Sequence, residues 1–178
     1  ESAAAIRAEI SELRDLYRQQ DEMDYIADQI NDAMVELGYT FVTSRVLTKK
    51  DQGETDFSLY QADRETGVAV YTDQTGAVMM RMTVLGDDPV ITEADRDFSY
   101  QRQIDFCAGH PDIVAALAGR GVLLKQRNYR EPDRAYTYKI NIQGQKTAAN
   151  TGSTKKDAGV QKADRRRRRA GSKRMHAV

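Results

Sequence analysis

Catalytic residue types come together in one place, the segment Cys107-Ala108-Gly109-His110-Pro111-Asp112. A thiol close to an imidazole can act as nucleophile and base, or as part of a metal site. Either chemistry needs more groups than the segment offers. There is no second cysteine, and the other histidine, His176, lies near the C-terminal end. On a helix, Cys107 would stand among Ile104 and Phe106, the setting of a buried thiol that behaves as a small hydrophobe. His110 would sit at a helix start. A small thiol- or metal-dependent enzyme centred on Cys107 and His110 is therefore the alternative reading, and no catalytic, metal or cofactor residue is assigned.

Paired acids are the other candidates for chemistry. Asp87 and Asp88, Glu93 and Asp95, and Asp21, Glu22 and Asp24 could hold a divalent cation or exchange protons. They fall at expected turns and helix N-termini, where carboxylates complement the helix dipole. Glycine spacings for a phosphate loop or dinucleotide fold are absent, as are the hydrolase elbow and the zincin helix motif.

The strongest chemical signal is charge. From Ser153 to Val178 there are ten Lys/Arg and two acids, a net +8, which leaves 17 bases and 25 acids, a net −8, in residues 1–152. A formal net charge of +0 thus conceals a dipolar chain. Arg165, Arg166, Arg167, Arg168 and Arg169 form an unbroken run, followed by Lys173 and Arg174. Guanidinium groups pair bidentately with phosphate. Full engagement of the net charge would give a salt slope of roughly −7 on binding to a nucleic acid. No aromatic side chain is interleaved for base stacking, so contact would be non-specific. The nearest polyanion is the acidic remainder of the same chain.

A second group of basic and aromatic residues lies around the expected last hairpin: Lys125, Arg127, Arg130, Arg134 and Lys139, with Tyr129, Tyr136 and Tyr138. Such a hairpin can bind single strands. However, Tyr136 and Tyr138 share a strand face with Ile140 and Ile142, which predicts that they point into the core.

The elements that must carry these residues follow from period. Ile6, Ile10, Leu13 and Tyr17 are spaced 4-3-4, and Met23, Ile26, Ile30, Ala33 and Leu37 are spaced 3-4-3-4. Both match a heptad seam, but the two are out of phase across the polar stretch Arg18–Glu22. One long helix with a stammer, or a break near Gln20 with Asp21 as cap, accounts for this; the long helix is favoured, ended by Gly38. From Tyr39 the period is two. Strands are expected at 39–47, 56–62, 68–72 and 77–85, joined by short turns into an antiparallel meander. Thr92 to Asp95 resembles a capping box. A helix follows to Gly109, then a short one starting at Pro111 and ending at Gly121. Strands at 122–129 and 135–142 close the pattern as a hairpin.

The fold class is α+β in the order α-ββββ-αα-ββ, followed by a basic tail. Residues 1–22 read as a helical arm and possible coiled coil, 23–142 as the globular domain, and 143–178 as a disordered tail too poor in large apolar side chains to fold. With one cysteine, no long apolar run and no leader, the expected location is cytoplasmic, with no membrane contact. The chain begins at Glu1 and reads as the C-terminal part of a larger coiled-coil protein. The expected function is a non-enzymatic interaction module. It would pair with another protein or with itself through Ile6, Ile10, Leu13 and Tyr17, and touch nucleic acid through the tail.

Overall fold

The computed structural model describes residues 3–49 and 53–142. Helix α1 (Ala3–Glu36) opens the chain, and four strands follow: β1 (Thr40–Lys49), β2 (Gly53–Gln61), β3 (Thr66–Asp73) and β4 (Val78–Leu85). Helix α2 (Glu93–Gly119) leads through an extended stretch to a single 3-10 turn at Arg134–Tyr136 and a two-residue strand, β5 (Lys139–Ile140). The expected α+β architecture is present. Residues 143–178, with the whole Arg165–Arg169 run, lie outside the described residues.

α1 is continuous through Gln20. Arg18 to Glu22 contains no glycine, proline or β-branched residue, so nothing local interrupts the helix. The phase change between its two seams is therefore a rotation of the apolar stripe about one helix. Met23, Ile30, Ala33 and Met34 are buried against the sheet, and Leu37, expected to finish that stripe, stays exposed beyond the last turn. Gly38 takes the left-handed conformation that ends the helix.

β1 to β4 form the expected antiparallel meander in sequential order. Alternation assigns two faces. Tyr60, Val68, Val70 and Met82 join Ile30, Ala33, Met34, Ile113 and Leu117 in the core beneath the helices. Phe57, Leu59, Ala69, Val42 and Leu85 make a second cluster on the other face, with Ile140 and Ile142 packed on it. β3, flanked on both sides and buried on both faces, accordingly reads as a nearly continuous buried run.

Two expected features are corrected. The pair of short helices is one helix, α2, with Pro111 inside it. Its capping box is formed as expected: the Thr92 hydroxyl accepts from the Asp95 N–H, and the Asp95 carboxylate accepts from the Thr92 N–H. Ser99, Phe106, Ile113 and Leu117 share one face by their spacing. Ser99, Ile113 and Leu117 are buried and Phe106 packs on the core. That stripe crosses Gly109 and Pro111 without losing phase, so burial offsets the roughly 3 kcal/mol that an interior proline costs. Ile104 lies off that face and is exposed.

The expected C-terminal hairpin is also absent. From Val122 to Asp133 the chain forms no strand; of this stretch Val122 is buried and Leu124 packs on the core, while Leu123 and Tyr129 are exposed. Asp133 then accepts a hydrogen bond from the Ala135 N–H and winds Arg134–Tyr136 into the 3-10 turn. β5 runs parallel to β4, as a strand returning through a crossover helix must, so the sheet is mixed.

Candidate interaction surface

The arm of α1 carries the most exposed apolar row of the described residues. Ile6, Ile10, Leu13 and Tyr17 have fractional exposures of 47%, 45%, 48% and 67%, against 2% for Ile30 and 0% for Ala33 on the same helix. At about 100° per residue, the mean direction of the arm stripe is roughly 140° around the helix from that of Met23 to Met34. The arm stripe thus faces away from the sheet that buries the second half of the helix.

The junction between the two halves is fixed by side chains. The Gln19 amide donates to the Gln74 carbonyl at 3.0 Å, tying α1 to the β3–β4 turn. The Tyr25 hydroxyl donates to the Arg120 carbonyl at 2.9 Å. The Arg120 guanidinium reaches Asp32 and Glu36, pinning the end of α2 to α1. Beside this junction an open groove is lined by Arg14, Tyr17, Asp21, Tyr25, Val122 and Leu123 among others. Asp21 and Glu22 line it from mid-helix, a correction to their expected place at a helix N-terminus.

Part of the basic and aromatic group near the C-terminal end, Arg134, Lys139 and Tyr138, is engaged within the fold. Arg134 pairs with Glu93 and Asp97, each at 2.9 Å. Lys139 is tucked against Asp95 at 3.0 Å and also donates to the Val90 carbonyl. The side chains of this pair are only 12% and 19% exposed. The Arg81 guanidinium lies over Tyr138, 3.7 Å from the centroid of its ring. Because the 3-10 turn shifts the phase by one, Thr137 is buried and Tyr136 is exposed, the reverse of the expected alternation. Lys125, Arg127 and Arg130 stay exposed along the stretch before the 3-10 turn, with the Arg130 guanidinium 5.4 Å from the centroid of the Tyr136 ring.

The acids have structural work. Hydrogen bonds from the Thr92 N–H and from Lys139 hold the Asp95 carboxyl below its ordinary value. Burial pushes Asp63 and Asp73 upward, but hydrogen bonds outweigh it and both end below their ordinary value: from Glu65 and Thr66, helped by Arg102, at Asp63, and from Thr75 and Ala77 at Asp73. Asp88 accepts from the Val90 N–H in a turn.

Cys107 is half-buried rather than fully buried. Its proximity raises the pKa of the Tyr129 phenol. His110 meets the Phe106 ring edge-on with centroids 6.0 Å apart, inside α2 rather than at a helix start. Among the described residues no group of three or more His, Cys, Asp or Glu is placed to hold a metal ion. No described helix is long and apolar enough to cross a membrane.

Comparison of the chain with protein-family models, curated proteins and solved structures finds no match to any of them.

The arm seam was legible in the sequence as spacing. Its direction was not, because direction depends on which face of α1 the sheet takes. The Arg120 pin was missed altogether. An arginine before Gly121 at the close of α2, with Asp32 and Glu36 one turn apart on α1, was the available signal.

Proposed function

We propose that the chain is a non-enzymatic interaction module in which the globular part presents the α1 arm to a partner helix. The supporting observation is the exposed row Ile6, Ile10, Leu13 and Tyr17, turned away from the sheet that holds Met23 to Met34. A helix stripe of this width buries itself best against another helix. The basic run Arg165–Arg169 with Lys173 and Arg174 supplies a second, non-specific contact to nucleic acid.

Ile10→Lys with Leu13→Lys places charge in the seam and leaves the sheet core untouched. Affinity isolation from the source cells is expected to recover a stoichiometric helical partner, or further copies of the chain, with the native arm and to lose it with this variant. Recovery unchanged by the substitutions contradicts the arm reading. For the tail, duplex DNA retention should fall steeply with salt for the whole chain and nearly vanish on removal of residues 143–178. Equal retention after that removal contradicts the nucleic-acid contact.

A further inference from the structure

Resting on the reading of the arm as a docking helix, we propose that its partner is a second copy of this chain. The two arms pair parallel and in register, as a two-stranded coiled coil over residues 3–17. Ala3, Ile6, Ile10, Leu13 and Tyr17 alternate as a and d positions of a heptad, with Ala3, Ile10 and Tyr17 at a and Ile6 and Leu13 at d. This places Arg7 and Arg14 at e, and Glu9 and Leu16 at g. All lie on the helix and are exposed.

The charges select the orientation. In a parallel pair a g residue meets the e residue of the following heptad on the other chain. Glu9 then faces Arg14 of the second copy, and two-fold symmetry makes the contact twice. Among the described residues neither Glu9 nor Arg14 is already held in an ion pair. In an antiparallel pair g meets g and e meets e. There a also faces d: with Ile10 on Ile6, Glu9 lies near Glu9 and Arg7 near Arg7, and with Ile10 on Leu13, Arg7 lies near Arg14, so either register sets like against like.

The same register says where pairing stops. After Tyr17 the next core positions are Gln20 and Asp24, which hydrogen-bond to each other within one chain at 3.2 Å. Two Asp24 carboxylates brought together would repel. The helices therefore part near Gln20, where Gln19 and Met23 turn α1 onto its own sheet. Four large side chains per copy, each about half exposed, offer a few hundred Å2, below the ~800 Å2 per partner of a standard interface. The dimer is accordingly weak and reversible.

Sedimentation equilibrium of the full chain from roughly 5 μM to 1 mM, a span that brackets weak association, tests this. A monomer–dimer equilibrium is expected. Ile10→Lys should weaken it by roughly a hundredfold or more and Glu9→Arg by roughly tenfold, while Glu9→Arg combined with Arg14→Glu restores it. Orientation is read separately: with Cys107→Ser, the variant Ile6→Cys should oxidise to a covalent dimer through the introduced thiols. A chain that stays monomeric to 1 mM overturns the proposal, as does a dimer indifferent to Ile10→Lys. A dimer weakened by Ile10→Lys but without the residue 6 cross-link overturns the parallel register and leaves the docking arm standing. Unfolding midpoints of the variants at low concentration should match the native chain, since these side chains do not enter the sheet core.

Discussion

The two halves of α1 share one backbone and differ in what holds their apolar stripes. Between Met23 and Met34 the stripe is covered by the sheet; between Ile6 and Tyr17 it is open. Similar spacings of similar residues thus lead to a core in one half and a surface in the other. Spacing says that a helix has an apolar stripe; only the direction of that stripe relative to the fold says what covers it. The polar stretch Arg18–Glu22 is the hinge of this change. It rotates the stripe without breaking the helix, because each of its residues tolerates helical geometry.

The largest expected effect breaks the comparison at its two ends. Ile30→Ala should lower stability by about 2–5 kcal/mol, the cost of emptying a packed site, while Ile10→Ala should stay within about 0.5 kcal/mol at low concentration. Chemical denaturation of both variants checks this, and comparable losses would show that the arm is folded against its own body. Next comes the charge that the body keeps for itself. Lys139→Met removes the partner that Asp95 holds at 3.0 Å and should cost about 1–3 kcal/mol. A neutral result would return Lys139 to the pool of available surface cations.

A smaller loss, about 0.5–2 kcal/mol, is expected for Thr92→Ala, which removes the hydroxyl side of the α2 capping box. The gentlest probe is pH. Asp63, Asp73 and Asp95 all have carboxyls held below their ordinary value in the folded chain. A depressed folded pKa contributes stability that is fully present above the unfolded value and lost as pH falls through the folded one. Thermal midpoints should therefore be level above pH about 5 and fall below about 4. In the triple Asn variant that acid step should be shallower; an unchanged step would place the acid sensitivity elsewhere.

The meander was legible because its strands alternate and its turns are short, and Thr92 to Asp95 announced a helix start correctly. The misreadings have physical causes. Gly109 and Pro111 look like a stop and a restart, yet the Ser99, Phe106, Ile113, Leu117 face runs through them and wins. Tyr136 to Ile142 alternates as a strand should, but the Asp133 cap tightens the chain into a 3-10 turn just before it. This reverses Tyr136 and Thr137 and leaves only Lys139 and Ile140 as strand. Val122 to Tyr129 had no partner to meet once the second arm of the hairpin was lost. At the arm, residue identity and spacing could be read directly; the exposure of the stripe depended on the packing of the rest of the chain.

Amide hydrogen exchange across α1, followed at low and at high protein concentration, tests the contrast most directly. Residues 3–16 should exchange quickly when dilute and become protected as concentration rises, while residues 23–36 should stay protected throughout. Protection of residues 3–16 that is already high when dilute and does not change with concentration would contradict the account.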